Sequence, residues 1–243
     1  MSIATVVGAV ALAAAPTHAL LSVSPAHVDL VPGARRVVAI DTGSTQGLAV
    51  AARVAGLTLD ARGRPRLVRP GDASPWLRLS SQTLRAVHGH AQLAISVRRV
   101  PPHTAAGDHT AVVLLTATQP GSRGVLVRMR VGLVVSVRVP GKVVHRLALG
   151  ARVTVLRKRR TIELVLANRG NVTEHVDGSR LSVLLARGGR TIAVLRPQRR
   201  EFLPRSQGLV LFGYAPQLRG VFTVRVGLWQ STVLTVRRFR LRL

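Results

Sequence analysis

The chain has 243 residues, with 36 Lys and Arg against 9 Asp and Glu, no cysteine and 3% aromatic residues. The missing cysteines exclude a disulfide framework, a thiol nucleophile and a thiolate metal site, and so few carboxylates leave little material for a paired-acid glycosidase centre. The net charge of +27, carried by arginine everywhere except Lys142 and Lys158, belongs in part to the Ala, Arg, Gly, Val and Pro bias of GC-rich genomes and in part makes a surface drawn to polyanions.

Residues 1–19 read as a signal peptide. Residues 3–15 form an uncharged apolar run, Pro16 breaks it, and Thr17-His18-Ala19 offers small residues for cleavage after Ala19. The segment has no Lys or Arg ahead of its apolar run, so either the amino terminus supplies the positive charge or the true start lies upstream. An uncleaved leader acting as a membrane tether is the alternative. No later segment reaches ~18 uninterrupted apolar residues. The mature chain is therefore expected to be exported, to begin at Leu20 and to keep the full charge.

From there the pattern has period two. In residues 92–98, Leu93, Ile95 and Val97 alternate with Ala94, Ser96 and Arg98. In residues 124–140, eight apolar residues from Val125 to Val139 share one face, and Arg128, Arg130, Ser136 and Arg138 lie on the other. Residues 221–228 put Thr223, Arg225 and Gly227 outward. Turn signals punctuate these runs, among them Pro32-Gly33, Asp60-Ala61-Arg62-Gly63, Pro70-Gly71-Asp72, His88-Gly89, Pro120-Gly121 and Gly188-Gly189. Residues 168–177 read as a loop. Many short strands without an amphipathic helix predict an all-β chain of two tandem immunoglobulin-like β-sandwich domains, residues 20–139 and 140–243, divided at Val139-Pro140-Gly141-Lys142.

Few residues stand out for chemistry. Trp76, after a turn and before Leu77 and Leu79, reads as a core aromatic, with sugar stacking as its functional alternative. In Ala106-Gly107-Asp108-His109, Gly107 frees the backbone and Asp108 can bond nearby amides. A catalytic reading would need a nucleophile, and there is no Gly-x-Ser-x-Gly elbow. Asn168, Gly170 and Asn171 read as a specialised turn, with ligand binding as the alternative. The histidines are scattered, with no carboxylate near His88 and His90 to complete a metal set. At the end of the chain, Arg238, Arg240 and Arg242 alternate with Phe239, Leu241 and Leu243, which puts three guanidiniums on one face. Charge there also protects a strand edge from pairing. A nucleic-acid surface would add stacking aromatics, and the chain has one Tyr and four Phe.

Several segments resemble bacterial surface proteins with a WxL-protein-type peptidoglycan-binding domain. They are Val23-Ser24-Pro25 through Val31-Pro32-Gly33, Ser74-Pro75-Trp76-Leu77-Arg78-Leu79-Ser80, Ala106-Gly107-Asp108-His109, Arg130-Val131-Gly132-Leu133, and Leu166-Ala167-Asn168-Arg169-Gly170-Asn171-Val172. Such proteins commonly end in a membrane span and a basic tail, which the residues up to Leu243 lack. The family is similar in turn to the periplasmic pilus chaperones, whose two linked immunoglobulin-like domains hold a subunit's carboxylate on a basic pair in the cleft. Residues 20–25 here carry no Arg or Lys. The resemblance implies a non-enzymatic, exported cell-envelope protein without cofactor or metal. It would bind peptidoglycan, an anionic wall polymer or a surface partner, with Arg238, Arg240, Arg242, Trp76, Asn168 and Asn171 as candidate contacts. An assembly factor for surface subunits, like those chaperones, is the alternative, and nucleic acid is not expected as a partner.

Overall fold

The computed structural model describes residues 20–44, 47–68, 72–120, 125–230 and 232–243. The expected leader lies outside them, as do residues 70, 71 and 121 of two expected turns. Among the described residues no helix is long and apolar enough to cross a membrane.

Among the described residues, ten strands precede residue 140: β1 (Ser22–Ser24), β2 (His27–Leu30), β3 (Arg35–Asp41), β4 (Leu48–Leu59), β5 (Pro65–Val68), β6 (Leu77–Leu79), β7 (Thr83–Ala86), β8 (His90–Val97), β9 (Gly107–Pro120) and β10 (Leu126–Val139). One sheet has the order β1-β3-β8-β6 and the other β2-β10-β9-β4-β5, with β7 on β4. The inward rows of the two sheets close on each other. Val38 and Ile40, Leu93 and Ile95, Val113 and Leu115, and Leu133, Val135 and Val137 all enter one apolar cluster. The period-two spacing fixes this, because a one-residue slip would turn each row to water. Aliphatic side chains fill the cluster, Trp76 being its one buried aromatic.

Nine strands follow among the described residues: β11 (Leu147–Leu156), β12 (Thr161–Asn168), β13 (Glu174–Val176), β14 (Leu181–Arg187), β15 (Arg190–Leu195), β16 (Arg200–Phe202), β17 (Gln207–Gly213), β18 (Val221–Gln230) and β19 (Val233–Arg242). They form sheets β11-β12-β17 and β15-β14-β18-β19 and the pair β13-β16 around a second cluster, where Phe202, Phe212 and Phe222 are buried. The all-β, two-sandwich architecture is therefore the one the alternation predicts.

The segment read as a loop, residues 168–177, contains β13. Three residues are too few to show a period. The strand is held instead by Glu174, which is buried and takes hydrogen bonds from His145 and Arg180. The 60–63 turn forms as expected. The Asp60 carboxylate accepts from the amides of Arg62 at 2.8 Å and Arg64 at 2.9 Å.

Candidate functional site

Where the sandwiches meet, backbone and side chains interlock. Asp108 opens β9 and is almost fully buried. Arg138, across the ladder on β10, donates to both its carboxylate oxygens at 2.7 and 3.0 Å, and the Thr173 amide of the second sandwich donates at 2.8 Å. Burial opposes ionisation of Asp108, but the Arg138 and Thr173 hydrogen bonds outweigh it and hold the carboxyl below its ordinary value. One carboxylate thus ties together two strands of one sandwich and a loop of the other.

Asn171 completes the junction. Its side-chain amide donates to Ala106 and Lys142 carbonyls, each at 2.8 Å, and its oxygen accepts from the Val144 amide at 2.7 Å. The Asp108 amide donates to the Asn171 carbonyl at 2.8 Å. That approach needs glycine before Asp108. Gly107 has φ +120°, and a Cβ there would sit 2.0 Å from the Asn171 oxygen. Asn168 shapes the same loop from within. It is 1% exposed, donates to the Val172, Phe202 and Leu203 carbonyls, and accepts from the Gly170 amide. Both asparagines are occupied by backbone.

A second contact lies at the 60–63 turn. The Leu209 amide donates to the Ala61 carbonyl at 2.7 Å, and Arg200 reaches the Asp60 carbonyl at 3.3 Å with its guanidinium over the Phe202 ring. Burial pushes the Arg200 guanidinium below its ordinary value, against the pull of Asp60.

Between the sandwiches opens a cavity of about 530 Å³, lined by His27, Asp29, Arg36, Asp108, Ser136, Arg138 and His175 among others. Arg36 extends the inward row of Val38 and Ile40 past the end of the core. Among the described residues it has no ion pair, whereas Arg138 is committed to Asp108 and His27 lies 3.2 Å from Asp29.

From this cavity β10 runs outward. It pairs with β9 along its whole length, but β2 covers its other edge only at Val134–Val137. Among the described residues, positions 126–133 leave that edge unpaired. The inward row continues along it, from buried Leu133 through half-buried Val131 and Met129 to exposed Val127 and Val125, with Arg128 and Arg130 on the other face. The alternation showed this row in the sequence. The open edge depends on which strand lies alongside, so no local signal reports it.

The remaining candidates lie elsewhere. Trp76 is 7% exposed and packs in the core with its ring 4.8 Å from that of His109. His109 has the Asp72 carboxylate at Nδ1 and the Ala105 carbonyl at Nε2, a set of acceptors that the doubly protonated ring satisfies. The Asp72 bond, against burial, raises its pKa above the ordinary value. Arg238, Arg240 and Arg242 project from β19, far along the chain from the cavity and exposed.

No protein-family model and no curated protein matches the sequence. Solved structures do match its fold. The class 5 fimbriae chaperone CfaA superimposes with a TM-score of 0.51 at 11% identity, over 91% of this chain and 98% of that one. A chain of the CsuC–CsuE chaperone–tip adhesion subunit complex from Acinetobacter baumannii gives 0.51 at 12%, over 90% and 98%. A chain of the Salmonella enterica SafA pilin–SafB chaperone complex gives 0.51 at 13%, over 94% and 99%. These findings overturn the resemblance to WxL-type wall-binding proteins and, with it, the reading of a peptidoglycan-binding or wall-polymer scaffold. The segments that carried it have structural explanations: Ser74–Trp76 is a 3-10 turn that delivers Trp76 to the core, and Asn168 to Asn171 form the junction loop. The chain thus has the two-sandwich fold of these chaperones.

Proposed function

We propose that the protein is an assembly factor for exported surface subunits, working in the cell envelope by lending the open edge of β10 to a subunit that lacks a strand. The unpaired edge at 126–133, carrying a continuous apolar row, is the observation on which this rests. An added strand gains main-chain hydrogen bonds along such an edge, and alternate side chains fill pockets in the partner. A long apolar edge left open in a free protein is an aggregation hazard, which makes sense where a partner is to cover it.

The rigid junction places the cavity at the root of that edge. The absence of Arg and Lys from residues 20–25 spoke against a basic anchor. Arg36 from β3 supplies a positive group to the cavity instead, which the His27 ring from β2 also lines. The pilin and tip-adhesin subunits in the structures it resembles support a surface protein as the partner, and the leader-like segment supports export.

Co-expression with a pilin-type subunit tests the proposal. The wild type should co-purify with the subunit. Val125→Glu with Val127→Glu, which charges the exposed end of the apolar row, should abolish the complex while leaving the far-ultraviolet spectrum β-type. An unchanged complex would refute strand lending.

A further inference from the structure

The sheet β15-β14-β18-β19 has an outer face that the subunit-binding reading leaves unused. None of its four strands contains an acidic residue. On the outward rows of β18 and β19, Arg238 stands directly opposite Arg225, Arg240 opposite Thr223, and Arg242 opposite Val221. Directly opposed like charges destabilise a sheet. This pair stands where neither strand supplies a counter-charge.

The face is not basic throughout. Toward the β18–β19 turn the same outward rows become apolar: Trp229 faces Leu234, and Val236 faces Gly227, over which a Leu234 methyl group lies. Trp229, Leu234 and Val236 are 43%, 42% and 50% exposed. Strand geometry of ~3.3 Å per residue puts Arg238 and Arg242 about 13 Å apart. Four guanidiniums, of Arg225, Arg238, Arg240 and Arg242, thus line one end of an open sheet face, with an indole and two aliphatic side chains at the other.

We infer that this face docks on the surface of an anionic phospholipid bilayer. Guanidiniums hold phosphates with two parallel hydrogen bonds, and tryptophan favours the headgroup level, where one side of the ring is apolar and the other wet. A soluble polyanion would use the arginines and leave Trp229 and Leu234 in water. The combination of both groups on one flat surface selects the bilayer. The inference is independent of β10, which lies in the other sandwich.

Sedimentation of the full chain with vesicles tests it. Binding to phosphatidylcholine vesicles containing phosphatidylglycerol should exceed binding to phosphatidylcholine alone. The exposed triple variant Arg238→Gln, Arg240→Gln, Arg242→Gln should weaken it by about a hundredfold, since each arginine at such a surface contributes on the order of a factor of five. Arg62→Gln, Arg64→Gln, Arg66→Gln removes the same charge from the first sandwich and should cost far less. Trp76 is buried in the core, so a blue shift of tryptophan emission on the vesicles should come from Trp229 and vanish in Trp229→Phe. Equal binding to both vesicle types, equal losses from the two triple variants, or binding without the shift would each overturn the assignment.

Discussion

At the scale of single residues, the junction rests on Gly107, Asp108 and Asn171, and each makes a distinct prediction. Gly107→Ala drives a Cβ into the Asn171 carbonyl at a positive φ. Urea unfolding should show a loss of about 2 kcal/mol or more, the backbone strain adding to the displaced contact. Asp108→Asn keeps the volume but gives Arg138 and the Thr173 amide a poorer acceptor. Arg138 is half exposed, so water offsets part of the loss, and about 2 kcal/mol is expected. The pH dependence has two limbs. Asp108 titrates below its ordinary value of 3.8 in the folded chain, so its contribution is full above about 3.8 and disappears as pH falls through the lowered value. His109 titrates above its ordinary 6.5, so its contribution is full below about 6.5 and disappears as pH rises through the raised value. Thermal unfolding across pH should show both limbs, with Asp108→Asn removing the acid one and His109→Gln the other. The sequence marked Asn168, Gly170 and Asn171 as a special turn and Gly107 as a place where the backbone is free to turn. That the two segments meet was not, because 64 positions separate Gly107 from Asn171 and only the packing of two separate cores brings them together.

At the scale of elements, β10 changes character along its length. Leu133 is fully buried and Val127 is exposed. Leu133→Ala should therefore cost about 3 kcal/mol, as a large-to-small change in a closed core does. Val127→Ala should stay within about 0.5 kcal/mol. Guanidinium denaturation of the two variants locates the point at which the strand leaves the core. The alternation in residues 124–140 exposed the strand and its apolar face in the sequence, because period two is a local property. It gave no account of the edge. Strand neighbours are a long-range matter, and β10 lies between β9, a hairpin partner, and β2, about 100 residues earlier. β13 escaped notice for the opposite reason: three residues held by a buried Glu174 carry no period at all.

At the scale of the whole molecule, two contacts among the described residues join the two cores, the Asp108–Asn171 junction and the Arg200 contact with the 60–63 turn. Two contacts fix an angle where one would leave a hinge, and the angle keeps the cavity at the foot of β10. The fold class was legible from strand alternation and turn spacing. The family resemblance misled because its short motifs coincide with what any sandwich pair needs: a core tryptophan after a turn, and an Asn-Gly loop where domains meet. Hydrogen exchange on β10 tests the central claim most directly. In the free protein, the amides of residues 126–132 that β9 does not take should exchange rapidly, and on forming a complex with a strand-deficient surface subunit they should become protected along with the facing edge of the subunit. Protection confined to other surfaces, with the β10 edge still exchanging freely in the complex, would contradict the account.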